Sequence, residues 1–143
     1  MIIAFDIDST LADISHRLPF ITGKKKNWPA FFNSCDADLP ILSMVGVYQS
    51  LEPSNIIYLL TGRPEHTRTA TENWLAEHSI KYMGLLMRRP NDYRADYIVK
   101  REMVDGLIQD HGRIDLAVDD SPEVVKMYRS LGIFTLDANQ GGR

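Results

Sequence analysis

The sequence predicts a doubly wound α/β fold, a mostly parallel sheet with helices on both faces. Three observations predict it. Short, continuous apolar runs recur at Met1–Phe5, Asn55–Leu60 and Ile114–Val118, without the alternation of a sheet that has one wet face. Between the runs lie stretches whose apolar residues fall at helical spacing. Each run ends in small polar or acidic residues, and open α/β sheets bind ligands beyond the carboxyl ends of their strands.

In chain order, Met1–Phe5 is a buried strand that delivers Asp6 and Asp8 at its end. Leu11–Ile21 is expected to be a loop, with Asp13, His16 and Arg17 able to face the crevice. Gly23–Asn27 is a polar turn carrying Lys24, Lys25 and Lys26, and Trp28–Cys35 is a short helix with Trp28, Phe31 and Phe32. Pro40–Leu51 shows a helical stripe of Ile41, Leu42, Val45, Tyr48 and Leu51, with proline near its start. Pro53-Ser54 breaks the chain before the second strand, Asn55–Leu60.

Glu65–His78 follows as a helix with Ala70, Trp74 and Leu75 inward, then a third strand, Lys81–Met87, and a loop, Arg88–Asn91. Asp92–Asp110 is the longest helix candidate. Its inward face is Tyr97, Val104, Leu107 and Ile108, and His111-Gly112 is its stop signal. After the strand Ile114–Val118, Ser121-Pro122-Glu123 opens a helix through Leu131, capped by Ser121 or Asp120. Gly132–Leu136 is the last strand, and Asn139–Arg143 a frayed polar tail.

At 143 residues the chain is expected to form one domain, with a small helical insertion at about 12–52. A net charge of −3 gives no global attraction to nucleic acid, so any such contact must be local. Cys35 is the only cysteine, which excludes an internal disulfide and a cysteine-based zinc site, and it reads as a small buried apolar residue. The opening apolar run is too short for a signal peptide, and no stretch approaches the roughly 18 apolar residues of a membrane span. A cytoplasmic protein with no membrane partner is expected; the oligomeric state is not legible. His16, His66, His78 and His111 lack metal-ligand spacing and read as surface or capping residues.

The chemistry gathers at the strand ends. Asp6 and Asp8 are two residues apart, so on an extended backbone both carboxylates face one crevice. Like charges that close repel, and a cation is their natural resident, although Asp-x-Asp also occurs as a plain strand-end turn or helix cap. Thr61-Gly62-Arg63-Pro64 closes the second run and Asp119-Asp120-Ser121-Pro122 closes Ile114–Val118, with Lys100 in the helix between them. Read alone, Lys100 is a solvated helical lysine and Lys24–Lys26 a solvated turn. Trp28, Phe31 and Phe32 are either core or a surface on which a base could stack. No Gly-x-x-x-x-Gly-Lys-Ser/Thr phosphate loop occurs.

Taken in order, Asp6-x-Asp8-x-Thr10, strand-Thr61-Gly62-Arg63, Lys100 and strand-Asp119-Asp120 resemble the four motifs of the haloacid dehalogenase-like phosphohydrolases. The resemblance implies that family's Rossmannoid fold with little or no cap domain, since the link from Leu11 to Asn55 is too short for a large one. It also implies a magnesium-dependent phosphomonoesterase. Asp6 would be the nucleophile and form an aspartyl-phosphate, while Asp8 would protonate the leaving oxygen and later deprotonate water. Mg2+ would be held by Asp6, the carbonyl of Asp8, Asp119 directly and Asp120 through water. Thr61 and nearby backbone N–H groups, those about Gly62 included, would bind phosphate oxygens, and Lys100 would neutralise both the phosphate and Asp6.

Between Asp6 and Gly132 the chain resembles, more narrowly, the 3′-phosphatase domain of bacteriophage polynucleotide kinase/phosphatase. The shared features are Arg17, Cys35-Asp36-x-Asp38, Thr61-Gly62-Arg63, Arg88 ahead of Lys100, and the pattern of Leu116–Gly132. That resemblance implies phosphatase-site roles for Arg17, Arg63 and Arg88, whose forked guanidinium groups suit phosphate oxygens. Their surplus charge would be free to grip further oxygens of a phosphorylated nucleotide or nucleic-acid end. Ser9 stands where glycine is common, and Thr61 where serine is also found. The missing phosphate loop leaves a phosphatase without its kinase half. Other readings are a phosphatase of small metabolites or 5′-nucleotides and, from another class, a phosphate-binding module without turnover.

Overall fold

The computed structural model describes residues 1–141; Gly142 and Arg143, the end of the expected tail, lie outside the described residues. In chain order the strands are β1 (Ile2–Phe5), β2 (Ala12–Asp13), β3 (Leu39–Pro40), β4 (Ile56–Pro64), β5 (Gly84–Arg88), β6 (Leu116–Asp119) and β7 (Thr135–Asp137). The helices are α1 (Pro19–Thr22), α2 (Trp28–Asn33), α3 (Leu42–Leu51), α4 (Arg68–Glu77), α5 (Asp96–His111) and α6 (Pro122–Ser130). Five strands form one parallel sheet in the order β5-β4-β1-β6-β7, as the doubly wound pattern predicts.

β1 is central because both of its faces are apolar. Ile3 and Phe5 enter one core with Ile57 and Leu59 of β4, Leu85 and Met87 of β5, Val45 and Tyr48 of α3, and Trp74 and Leu75 of α4. Ile2 and Ala4 enter the other, against Leu60, Ala117, and the α5 and α6 residues Val104, Leu107, Val124, Met127 and Tyr128. The two-residue period of the strand thus assigns alternate side chains to two helical layers. Burying each such large aliphatic or aromatic side chain contributes roughly 1.5–3 kcal/mol. The central strand is consequently a rigid base for whatever follows Phe5.

Several boundaries differ from the sequence expectation, each for a local reason. Leu11–Ile21 is not a loop: β2 pairs antiparallel with β3, and a 3-10 turn at Ser15–Arg17 leads into α1. Pro40 belongs to that ladder, so α3 starts at Leu42, which is exposed rather than part of the stripe. Residues Glu65–Thr67 form a 3-10 turn before α4. β5 begins at Gly84, after Ser79 takes a left-handed turn (φ 55°). α5 begins at Asp96 because Asp92 turns back on its neighbour, its carboxylate accepting from the Arg94 amide at 3.1 Å. Tyr97 is exposed, and Val99 and Lys100 take the inward positions instead.

Gly112 does stop α5, left-handed at φ 79° with its amide on the Ile108 carbonyl at 2.7 Å. Ser121 precedes α6 as its N-cap without a side-chain hydrogen bond. β7 starts at Thr135 because Gly132 (φ 73°) and Ile133 fold back onto the end of α6. Cys35 is buried and unpaired. Among the described residues no helix is long and apolar enough to cross a membrane.

Candidate active site

The strand stops at Phe5 because the chain coils beneath its own carbonyl. Ile7 O accepts the amides of Thr10, Leu11 and Ala12 at 2.8–3.2 Å. Ser9 sits in the left-handed region at φ 62°, which explains why glycine suits this position and why serine there carries strain. The loop separates two carboxylates that an extended strand would have kept side by side. Asp6 and Asp8 line the same cavity, but they turn to different partners.

Asp6 is almost fully buried. Its Oδ1 accepts from Lys100 Nζ at 2.7 Å and its Oδ2 from Thr10 Oγ1 at 2.9 Å. The same ammonium reaches Asp119 Oδ2 at 2.7 Å, and Asp120 Oδ1 lies 3.5 Å from Thr10 Oγ1. Asp119 also anchors the turn into α6 by accepting from the Ser121 amide at 3.0 Å. Oxygens of Asp6, Asp119 and Asp120 lie within 4.8 Å of one another. Burial and the charges of Asp119 and Asp120 push the Asp6 carboxyl well above its usual range, outweighing Lys100. For Lys100, burial opposes the charge, but Asp119 and Asp6 prevail and hold the ammonium well above its ordinary pKa. A buried cluster of hard oxygens under this repulsion fits a divalent cation such as magnesium.

Asp8 meets the opposite environment. Its Oδ1 accepts from Arg17 Nη2 at 2.9 Å and from Arg63 Nη2 and Nε at 2.7 and 3.0 Å. Burial would raise its pKa, yet the charges and hydrogen bonds of Arg63 and Arg17 win and hold it below the usual carboxylate range. Behind them sits Asp38, whose carboxylate accepts from Arg17 Nε and Nη2 at 2.8 and 2.7 Å and from Arg63 Nη2 at 3.0 Å. His16 Nε2 lies 2.7 Å from the same carboxylate. The Asp38 carbonyl accepts the indole N–H of Trp74 at 2.7 Å, which ties the charges to the core.

The three arginines do not share one role. Arg17 and Arg63 are 0 % exposed and do not line the cavity, which corrects the expectation that their charge is free to reach outward. Two carboxylates already occupy their forks. Arg88 does line the cavity, but its guanidinium is bonded to the carbonyls of Gly62, Asp92 and Arg94 and to the Asp96 carboxylate. A methyl group on Gly62 would run into that Asp96 carboxylate, which would have to swing aside from Arg88 to admit it. Thr61 is buried at the cavity edge. Its hydroxyl accepts the Arg63 amide at 3.1 Å and keeps its own proton to donate.

The cavity, about 580 Å³, thus collects Asp6, Asp8, Thr61, Gly62, Arg88, Asp119 and Asp120 from the carboxyl ends of β1, β4, β5 and β6, with Lys100 reaching in from α5. Three supporting residues were not among the sequence candidates: Thr10, Asp38 and Asp96. Asp38 stood in a recognisable motif, but nothing in the sequence linked it to Asp8. The carboxylate of Asp8 is not part of the metal-fit cluster, so any part it has in metal binding falls to its carbonyl.

Comparison with known proteins finds relatives of the whole chain and of its fold. The profile of the polynucleotide kinase PNKP phosphatase domain matches residues 1–142. A protein of Autographa californica nuclear polyhedrosis virus, named as a bifunctional polynucleotide kinase/RNA ligase, is 32% identical over 82 residues. The match takes in 57% of this chain and 12% of the viral protein. A chain of the Pnkp1/Rnl/Hen1 RNA repair complex is 29% identical with a TM-score of 0.76, covering 99% of this chain and 43% of its own. This chain therefore spans less than half the length of either. A HAD family enzyme from Bacteroides thetaiotaomicron, solved with magnesium and inorganic phosphate, shares the fold at 15% identity and a TM-score of 0.57. That match covers 99% of this chain and 96% of its own.

Proposed function

The chain belongs to the family of polynucleotide kinase PNKP phosphatase domains, and from that premise we propose that it removes 3′-phosphates from nucleotides or polynucleotide ends through an aspartyl-phosphate on Asp6. We read the chain as one phosphatase domain in which residues of about 12–52 are a small helical insertion beside the cavity. The observation that carries the proposal is the separation of two neighbouring carboxylates. Asp6 is paired with Lys100 beside Asp119 and Asp120, while Asp8 is paired with arginines. Phosphoryl transfer through an enzyme carboxylate needs that division, one group to attack and one to move protons.

In this reading Asp6 attacks phosphorus, the bond to the ester oxygen breaks, and Asp8 delivers a proton to that oxygen. Asp8 then takes a proton from water, the water oxygen bonds to phosphorus, and the phosphorus–Asp6 bond breaks to release phosphate. Arg17 and Arg63 favour the ionised form of Asp8, which is the form that accepts the water proton. The proton for the first half arrives with the substrate, since a phosphate monoester is half-protonated near pH 6, and it passes to Asp8 on its way to the ester oxygen. Thr61, and backbone N–H groups near Gly62, hold the transferred oxygens. Lys100 keeps Asp6 from being repelled and neutralises the phosphoryl group. Asp6, Asp119 and Asp120, with the carbonyl of Asp8, would hold Mg2+. The bound ion would supply the positive charge that lets an anionic nucleophile approach an anionic phosphate.

Phosphate release should be compared across 3′- and 5′-phosphorylated mononucleotides and oligonucleotides and small sugar phosphates, with magnesium present. The 3′-phosphorylated substrates are expected to show the highest kcat/KM. A higher value for sugar phosphates or 5′-nucleotides would replace this reading with a metabolite or 5′-nucleotide phosphatase.

A further inference from the structure

The walls of the cavity differ in kind. Facing the carboxylates is an apolar wall of Ile14, Leu18, Ile21, Trp28, Phe31 and Phe32. Trp28 is 45 % exposed and lines the cavity, so its ring offers a ligand a broad, flat apolar surface. It is also held firmly. The Asn27 side chain accepts the Ala30 amide at 3.1 Å and so fixes the start of α2, where Trp28 is the first residue. Its ring lies nearly parallel to Phe32, with centroids 5.8 Å apart at 24°, and edge-on to Phe31 at 5.7 Å and 90°. The Arg17 guanidinium sits 4.4 Å over the Phe31 ring, so the aromatic group is joined to the support of Asp8. Lys26 Nζ is 5.9 Å from the Trp28 ring, and Lys24 and Lys25 beside it are exposed.

Resting on the phosphatase reading above, we propose that Trp28, backed by Phe31 and Phe32, is the stacking platform for the unpaired terminal base of a 3′-phosphorylated nucleic-acid end. The occupant must be an anionic monoester at one end, to reach Thr61 and Lys100, and flat and apolar at the other. It must also accept a cation nearby, which Lys26 supplies. A sugar alone would leave the aromatic face uncovered, and an acyl chain would gain nothing from the lysines. Aromatic stacking accepts any base, because every base has a π face. A base inside a duplex has both faces covered, so the platform selects ends that are single-stranded or frayed.

The test uses the whole chain with magnesium and two substrates, an oligonucleotide ending in a 3′-phosphorylated base and the same oligonucleotide ending in an abasic 3′-phosphate. Trp28→Ala is expected to raise KM for the base-bearing end about 5- to 150-fold relative to the abasic one, the range of one base stacked on an aromatic ring. The ratio of the two kcat values should hold. Trp28→Phe should restore most of the KM difference, and ribose and deoxyribose versions run in parallel tell which backbone is preferred. Trp74 is only 2 % exposed, so the emission of the exposed Trp28 offers a second readout. It should be quenched when a 3′-mononucleotide binds the Asp6→Asn variant, and unchanged by inorganic phosphate. Equal KM shifts for both ends, or none, with 3′-phosphates still hydrolysed, overturn the platform alone. If the unaltered protein releases phosphate from neither oligonucleotide, the parent reading falls and the platform with it.

Discussion

Asp6 and Asp8 are separated by one residue, yet the protein stabilises them by opposite means. Around Asp8 each carboxylate meets an arginine: Arg17 and Arg63 bridge Asp8 to Asp38 in a closed set of hydrogen bonds. Around Asp6 the carboxylates crowd together, with one ammonium bonding both Asp6 and Asp119. The first cluster drives its carboxyl pKa down and the second drives it up. The downward push keeps Asp8 in the ionised form that accepts a proton, while the upward push on Asp6 is the mark of burial and crowded like charges. The difference also separates what is complete in the protein alone from what calls for a ligand. The Asp8 cluster satisfies itself, whereas the Asp6 cluster is relieved by an added cation.

The comparison breaks most completely at Asp6, the proposed nucleophile. Asp6→Asn keeps the shape and removes the attacking charge, so kcat should fall at least about 10⁴-fold while the circular dichroism spectrum holds. Retained turnover in a preparation free of contaminating phosphatase would remove the covalent mechanism. Asp8→Asn should cost about 10²–10⁴-fold for alkyl phosphates. For an aryl phosphate, whose leaving group needs no proton, the loss should shrink. Equal losses for both substrates would count against Asp8 as the acid.

Asp38→Asn sharpens the contrast because the Asp38 carboxylate bonds Arg17, Arg63 and His16 and reaches Asp8 through the two arginines. Leaving two buried guanidinium groups short of a partner should lower unfolding stability by about 3–5 kcal/mol in urea titrations. Turnover should fall by about 10–100-fold, the usual loss on removing an outer supporting group. Since Arg17 and Arg63 are enclosed, the fall should be similar for an oligonucleotide and a small alkyl phosphate, whose leaving groups both need a proton. A loss confined to oligonucleotides would instead return these arginines to direct substrate contact.

On the other side, magnesium at about 100 times its Kd should stabilise the protein by about 2.7 kcal/mol, read as a rise in Tm. Asp119→Asn or Asp120→Asn should diminish that rise. An unchanged rise in both would place the ion elsewhere. The smallest effect belongs to the loop between the two carboxylates. Ser9→Gly relieves a left-handed residue but frees the unfolded chain, so the net gain should be no more than about 1 kcal/mol.

What could be read from the sequence follows from where each residue stands. Asp6, Thr61 and Asp119-Asp120 were visible because each closes an apolar run, and an apolar run is itself the mark of a buried strand. The layering of helices over both faces followed from the same runs. Lys100 was legible through the order of the motifs, its helix and the apolar residues beside it, Ile98 and Val99. The extension of β4 through Pro64 and the late start of α5 were hidden by hydrogen bonds that periodicity does not encode. Asp38 was hidden more deeply. Its partners Arg17 and Arg63 lie 21 and 25 residues away, and only the folded chain brings the three together.

The closed set formed by Asp8, Arg17, Asp38 and Arg63 also bears on how such a sequence can change over generations. Replacing any single member strands a buried charge, so most one-step routes away from the set pass through a poorly folded intermediate. The four positions should therefore drift as a unit, persisting together or being exchanged together. The exposed Trp28, which bonds to no member of the set, is where descendants of this chain could explore new substrates one substitution at a time.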